Sequence, residues 1–361
     1  MPTRAETLAR AAQLRAKFEA AGADVIETPV LQPADTLLDL YGEDIRARAY
    51  VTSDGLRGEQ MLRPDFTVPV VQKHMEHGAE PARYTYAGEV FRRQEDDPER
   101  PNEYVQVGYE VFDRLDSAAA DSEVFALIAK MLAPLGLQTV NGDIGLLMAA
   151  VRGLRTSAPR KAALIRHIWR PRRFRALLDR FSGQMPEPKE RIALLSKDDP
   201  LADAGPLVGM RTWSDIRTRI EALRTDATTP PISQAEVDLI DALLAVRETA
   251  PFALEQLRDI AVDMPSISAV VSLMQERLAA LDARGVDVES LAFDASYGRT
   301  LMEYYDGFVF GFYVKARPEL PAIATGGRYD ALTRHLGKGA EIPAVGGVMR
   351  PGLILELEGA A

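Results

Sequence analysis

Strand-like patterns stand at both ends of this 361-residue chain and give way to helical ones in the middle, and that split constrains the fold more than any other feature. Near the N-terminus Leu8, Ala11, Leu14, Phe18 and Ala21 recur at helical spacing, with Gly22 as the stop. Residues 48–59 read as two strands about a Ser53-Asp54-Gly55 turn, because Asp-Gly supplies the backbone a tight hairpin needs. Pro69 suits the first turn of a helix running to about His77. Residues 83–93 and Glu103–Phe112 read as strands around a charged loop at 94–102, and 121–132 as a helix. From 142 to 289 the pattern becomes helical, broken at Pro186, Pro188, Pro230-Pro231 and Pro251. Strands resume at 291–295 and 302–315, followed by a turn at Gly326-Gly327, a helix at 329–336 and a last strand, Ala344–Met349. The expectation is an α+β fold: an antiparallel sheet flanked by helices, discontinuous over 1–141 and 290–361, with a mainly helical insertion at 142–289.

Composition narrows the function. The chain is 47% apolar and 27% charged, the balance of a globular protein. It holds no run of the roughly 18 apolar residues that a membrane helix needs and opens with no signal-peptide core, so no membrane association and a cytoplasmic location are expected. The absence of cysteine removes disulfides, thiolate catalysis and Cys-ligated zinc, and four histidines without metal-ligand spacing predict no metal and no cofactor. A net charge of −10 argues against nucleic acid as a general partner. The charge is uneven, however: residues 160–180 hold eight Lys/Arg and one acid, a local +7 against −17 elsewhere. That stretch reads as a solvated helix face or as a docking surface for an acidic partner through Arg166, Arg170, Arg172 and Arg173, with RNA binding a third reading. His74 and His77 are expected on an exposed helix face, and Trp169 and Trp213 in packed positions.

Strand parity marks a ligand site. In Glu103–Phe112 the odd positions Val105, Val107, Tyr109 and Val111 form an apolar face, while Gln106, Gly108 and Glu110 share the other. In 302–315 the residues Tyr305, Gly307, Val309, Gly311 and Tyr313 share a face. Glycine inside a strand weakens it unless something approaches the backbone there. Polar groups beside glycine on two strands therefore suggest the floor of a small-molecule pocket, or ordinary sheet polarity with bulges. Arg92 suits a carboxylate, and Glu110 with Asp65 an ammonium; together they suit a free amino acid.

Ordered motifs sharpen this. Arg63-Pro64-Asp65-Phe66-Thr67, Phe91-Arg92-Arg93-Gln94, the whole of Glu103–Phe112, the run from Glu303 to Phe310, Gly326-Gly327-Arg328-Tyr329-Asp330 and Pro343-Ala344-Val345-Gly346 resemble, in order, the class II aminoacyl-tRNA synthetase core in its histidyl version. The resemblance covers about 1–135 and 290–361, and that family also carries an insert between the two. It implies an antiparallel catalytic-type sheet and a histidine pocket formed by Asp65, Thr67, Arg92, Gln106, Glu110, Tyr304 and Tyr305.

The departures bear on activity. Adenylation needs cations on the ATP phosphates, where charge builds in the transition state. The family's second motif has Glu where Gln94 stands, and its closing Gly-Leu-Glu-Arg aligns with Arg350-Pro351-Gly352-Leu353, so leucine replaces the phosphate-binding arginine. Thr300 occupies the place of the family's catalytic arginine, with Arg299 one residue away. The family's anticodon-binding domain is also expected to be absent. Amino-acid contacts without activation chemistry resemble the ATP phosphoribosyltransferase regulatory subunits. That likeness implies no catalytic residue of its own, a short-form catalytic subunit as partner, self-dimers within a hetero-oligomer, and histidine as feedback effector. The alternatives are a truncated active histidyl-tRNA synthetase or amino-acid adenylating enzyme, and an RNA-binding relative using the basic stretch.

Overall fold

Thr3 starts the first helix, Arg4–Ala20, through a capping box: its hydroxyl accepts from the Glu6 amide while the Glu6 carboxylate accepts from the Thr3 amide. Gly22, at φ +94°, turns the chain out of it. The buried stripe is Ala11, Leu14 and Phe18; Leu8 and Ala21, placed on the same face by spacing, lie exposed at its edges. The computed structural model describes residues 2–41, 45–94, 100–202, 204–300 and 304–359.

Among the described residues twelve strands follow: β1 (Asp24–Val25), β2 (Leu31–Pro33), β3 (Val51–Asp54), β4 (Gly58–Leu62), β5 (Ala82–Phe91), β6 (Glu103–Phe112), β7 (Gln138–Asp143), β8 (Arg247–Thr249), β9 (Ala292–Asp294), β10 (Phe308–Tyr313), β11 (Ala324–Arg328) and β12 (Ala344–Met349). Nine of them build one sheet in the order β1-β5-β6-β12-β11-β10-β7-β9-β8, antiparallel except at β1–β5 and β7–β9. The remaining three form a small sheet, β2-β4-β3. Its β3–β4 hairpin turns two residues later than the expected Ser53-Asp54-Gly55, because Asp54 Oδ1 accepts from the amides of Leu56 and Arg57 and so closes the turn over Gly55-Leu56-Arg57.

Burial separates the two faces of the main sheet. Behind it lie the helices Arg4–Ala20, Ser117–Leu132 and Pro351–Glu358. Phe18 stacks on Tyr109 at 5.0 Å, and Phe125 packs against Phe308, Phe310 and Phe312. Each such fully buried apolar side chain contributes roughly 1.5–3 kcal/mol. In front, β6 presents Gln106, Gly108 and Glu110, as parity required, but these too are buried. The front face is thus the floor of an enclosed site rather than a solvated surface.

Three expectations are corrected here. Gly326 and Gly327 are the middle of β11 and not a turn: a Cβ on Gly326 would meet the Phe310 ring at 2.3 Å, and one on Gly327 the Tyr305 ring at 2.7 Å. These glycines leave room for aromatic side chains to lie against the sheet backbone. His74 is not exposed; its ring stacks on Phe112 at 4.0 Å and its Nδ1 hydrogen-bonds the Tyr84 hydroxyl, and burial holds the imidazole below its ordinary pKa. Trp213 is not packed but 37% exposed, at the start of the helix Trp213–Thr228, whereas Trp169 is half-buried against the core.

The helical middle is tied to the sheet. Its strand β8 pairs with β9 at the sheet edge. Its last helix, Ser268–Ala283, packs on Ser117–Leu132, and there Arg277, 2% exposed, donates to Asp121 at 2.8 Å and Asp143 at 3.0 Å. Arg328 donates to the other oxygen of Asp121 at 2.7 Å. Among the described residues no helix is long and apolar enough to cross a membrane.

Candidate functional site

Glu110 is the centre of the front face. It is completely buried, and its carboxylate accepts three hydroxyl hydrogen bonds: from Tyr86 at 2.7 Å and Thr67 at 3.0 Å on Oε1, and from Tyr329 at 2.6 Å on Oε2. Glycines make the room. Tyr86 lies directly across the ladder from Gly108, and a Cβ on Gly108 would fall 2.2 Å from that ring. Gly346 faces Glu110 on β12, where a Cβ would fall 1.4 Å from Oε2. Desolvation raises Glu110 to about 7, against the pull of the three donors, with nearby Asp65 adding to the rise.

The seven residues assigned to a histidine pocket converge here. Thr67 opens the helix Thr67–His77 and touches Glu110 directly. Asp65, two residues earlier, accepts the Val68 amide at 3.2 Å and lies close enough to Glu110 and Tyr305 to raise both groups' pKa. Arg92, just beyond β5, donates its Nε to the Pro64 carbonyl at 2.6 Å and counters that rise at Tyr305. Tyr304 and Tyr305 sit edge to face at 5.0 Å, and Tyr304 meets Tyr329 at 6.0 Å. Both tyrosines precede β10, which begins only at Phe308; the expected strand start at 302 lies outside the described residues. Gln106 is 1% exposed, and its Oε1 has no hydrogen-bond partner among the described residues. A buried acceptor without a donor costs about 1–3 kcal/mol, and an ammonium or N–H from a ligand would satisfy it. Glu110 already accepts three hydroxyl donors, two on Oε1 and one on Oε2, and so is held by Tyr86, Thr67 and Tyr329. Parity had not singled out those two tyrosines, because the pairing of Tyr86 with Gly108 appears only in the sheet register.

The neighbourhood where phosphate cations would be needed is differently arranged. Arg299 does not stand in for the missing arginine at Thr300: it is 6% exposed, donates its Nε to the Ile168 carbonyl at 3.0 Å and lies over the Phe174 ring at 5.0 Å, both in the helical middle. Leu353 lies in the helix Pro351–Glu358. Gln94 is exposed.

The basic stretch divides in two. Arg160 is buried against Asp226 at 2.5 Å, whereas Arg175 is exposed and pairs at the surface with Asp179 and Asp241. Arg166, Arg172 and Arg173 are exposed and Arg170 half-buried, on and beside the helices Ala158–Arg166 and Pro171–Phe181. Among the described residues no group of three or more His, Asp or Glu is placed to hold a metal.

The family model for histidyl-tRNA synthetase matches residues 1–195 and 216–351. A histidyl-tRNA synthetase from Nostoc superposes with a TM-score of 0.63 at 18% identity, covering 98% of this chain and 72% of that one. The chain therefore has a class II aminoacyl-tRNA synthetase-like fold of the histidyl type. A structure described as an ATP phosphoribosyltransferase regulatory subunit/histidyl-tRNA synthetase, from Bacillus halodurans, superposes with a TM-score of 0.68 at 22% identity, covering 98% of this chain and 79% of that one. ATP phosphoribosyltransferase regulatory subunits from Brucella ovis and Brucella abortus are each 31% identical over 352 residues, spanning 92% of this chain and 93% and 92% of theirs. The chain belongs to the ATP phosphoribosyltransferase regulatory subunit family.

Proposed function

We propose that this protein is a non-catalytic regulatory subunit that activates a short-form ATP phosphoribosyltransferase, and that the pocket around Glu110 senses histidine as a feedback signal. One observation supports the reading: Thr67, Tyr86 and Tyr329 gather around the buried Glu110, while Arg299 is committed to the helical middle and leucine stands at 353. Losing a single oxyanion donor from an enzyme site costs about 2.7–4 kcal/mol of transition-state stabilisation, so losing two phosphate contacts makes adenylation ineffective. In this reading the ligand's ammonium meets Gln106 and Asp65, its carboxylate meets Arg92, and Tyr304 and Tyr305 line its side chain. Residues 142–289 form an insertion whose exposed Arg166, Arg172 and Arg173, with Arg170, face the catalytic subunit. The chain works in the cytoplasm and pairs with a second copy within the hetero-oligomer.

Mixing purified protein with the short catalytic subunit tests this. Phosphoribosyl transfer should be low without this chain, rise on its addition and fall again with histidine. Histidine-dependent ATP–pyrophosphate exchange by the chain alone, at useful turnover, would instead identify an adenylating enzyme.

A further inference from the structure

Tyr305 and the two residues after it are laced to the end of β11 one after another. Tyr305 lays its ring over Gly327, where a Cβ would fall 2.7 Å from it. The Asp306 amide donates to the Arg328 carbonyl at 3.0 Å. The Arg328 side chain crosses Gly307, where a Cβ would fall 3.0 Å from its Cδ. The Asp306 carboxylate closes the set: Oδ1 accepts the Asp330 amide at 3.0 Å, and Oδ2 accepts the Ala331 amide at 2.7 Å. Those amides open the helix Asp330–Leu336, where the first turn offers them no partner of its own. They also follow directly on Tyr329, whose hydroxyl donates to Glu110 and whose ring meets Tyr304.

Tyr329 is thus gripped twice, at its hydroxyl by Glu110 and at the backbone just beyond it by Asp306. We propose that Asp306 is a positioning residue of the amino-acid pocket: its ionised carboxylate, one oxygen on each amide, holds Tyr304 and Tyr305 against Tyr329 and presets the pocket for its ligand. Protonation puts a hydrogen on one of the two oxygens, and the clamp loses one of its two charge-assisted bonds. The charged groups facing Asp306 are Asp330 on the following helix and Arg328 on β11. Burial and the charge of Asp330 raise Asp306 to about 7, against the pull of the two amides and of Arg328. Arg328 is itself shared with Asp330 at 3.0 Å and with Asp121 of the helix Ser117–Leu132 at 2.7 Å. Asp143, at the end of β7, is taken by Arg277. The grip of the pocket on its ligand therefore weakens as pH falls through about 7.

The proposal rests on the reading of this pocket as an amino-acid site and is tested on the full chain, with histidine as the probe and calorimetry at pH 6 and pH 8. Asp306→Asn keeps the shape but offers one acceptor oxygen and cannot ionise. It should bind histidine about tenfold more weakly than wild type at pH 8, the worth of one charge-assisted hydrogen bond, and within about twofold of wild type at pH 6. Comparing variant with wild type at each pH cancels the titration of the ligand itself. A merely structural role would weaken binding by the same factor at both pH values. Thermal melts establish that the variant is folded. An unfolded Asp306→Asn leaves the decision to Asp306→Ser, which is smaller and can still accept one amide at a helix start. A ratio of affinities that stays constant from pH 6 to pH 8, or no loss at pH 8 in a folded variant, would overturn the proposal and leave the amino-acid reading standing. Wild type that binds no histidine at either pH would remove that reading and the proposal together.

Discussion

The hydroxyl of Tyr86 reaches Glu110 diagonally across the β5–β6 ladder, 2.7 Å from Oε1, because its ring lies over Gly108 instead of over a side chain. Tyr329 approaches the same carboxylate from the other side, over the space left by Gly346. A buried carboxylate ringed by hydroxyls thus rests on two glycines that have no positive φ to justify them.

Filling either space should be costly. Gly346→Ala places a methyl group 1.4 Å from Glu110 Oε2, and overpacking of a tight core costs about 1–3 kcal/mol. Gly55→Ala, with nothing within 4 Å, serves as the control and should stay within roughly 0.5 kcal/mol. Urea denaturation of the two variants beside wild type reads the difference. Equal midpoints would mean that the Glu110 nest is looser than its geometry.

Glu110 should also make stability depend on pH. Its folded-state pKa, about 7, lies above the ordinary glutamate value of 4.5, so the folded protein holds this proton more tightly than the unfolded chain. Its stabilising contribution is complete below about 4.5 and is lost as pH rises to about 7. Glu110→Gln cannot ionise, so the stability of the variant relative to wild type should improve between pH 5 and pH 8, by up to about 3 kcal/mol. Denaturation at those two pH values measures it; a constant gap would place the titration elsewhere.

Much of this site was legible because strand parity is strict. The alternation in Glu103–Phe112 put Gln106 and Glu110 on one face and Val107 and Tyr109 on the other, as the structure has them. What parity cannot show is which strand lies opposite, so neither Tyr86 above Gly108 nor Glu110 beside Gly346 followed from either strand alone. Paired glycines signal turns by frequency, and Gly326-Gly327 broke that rule because aromatic rings needed the space in the sheet. His74 was misread for a related reason: its helix looked amphipathic with the histidines outside, but the aromatic cluster of Tyr84 and Phe112 lies on the side that His74 faces. Three residues of β8 are too few to carry a periodic signal.

The buried ions joining the helical middle to the sheet make another test. Arg277 satisfies one oxygen each of Asp121 and Asp143, and removing it leaves buried carboxylates with less compensation. Breaking such a pair typically costs 3–5 kcal/mol. Arg277→Met should lower stability by about that much, whereas exchanging Arg247, which is exposed and pairs with Asp294 at the rim, should cost at most about 1 kcal/mol. Thermal or urea unfolding compares the two, and similar small losses would mean that Arg328 alone neutralises Asp121.

Within the basic stretch, burial separates Arg160 from the exposed Arg172 and Arg173. If Arg172 and Arg173 meet the catalytic subunit, Arg172→Glu with Arg173→Glu should slow assembly most at low salt, since exposed charges act over a Debye length of about 8–10 Å and chiefly steer encounter. The variant should melt like wild type, because neither side chain is buried. Arg160→Glu belongs to the other half of the stretch: it would set a carboxylate against Asp226 beneath the surface and should unfold part of the helical middle without any partner present. Assembly rates of the double variant at two salt concentrations decide the matter. A rate equal to wild type at both would move the docking surface off this helix and leave its arginines as a solvated face.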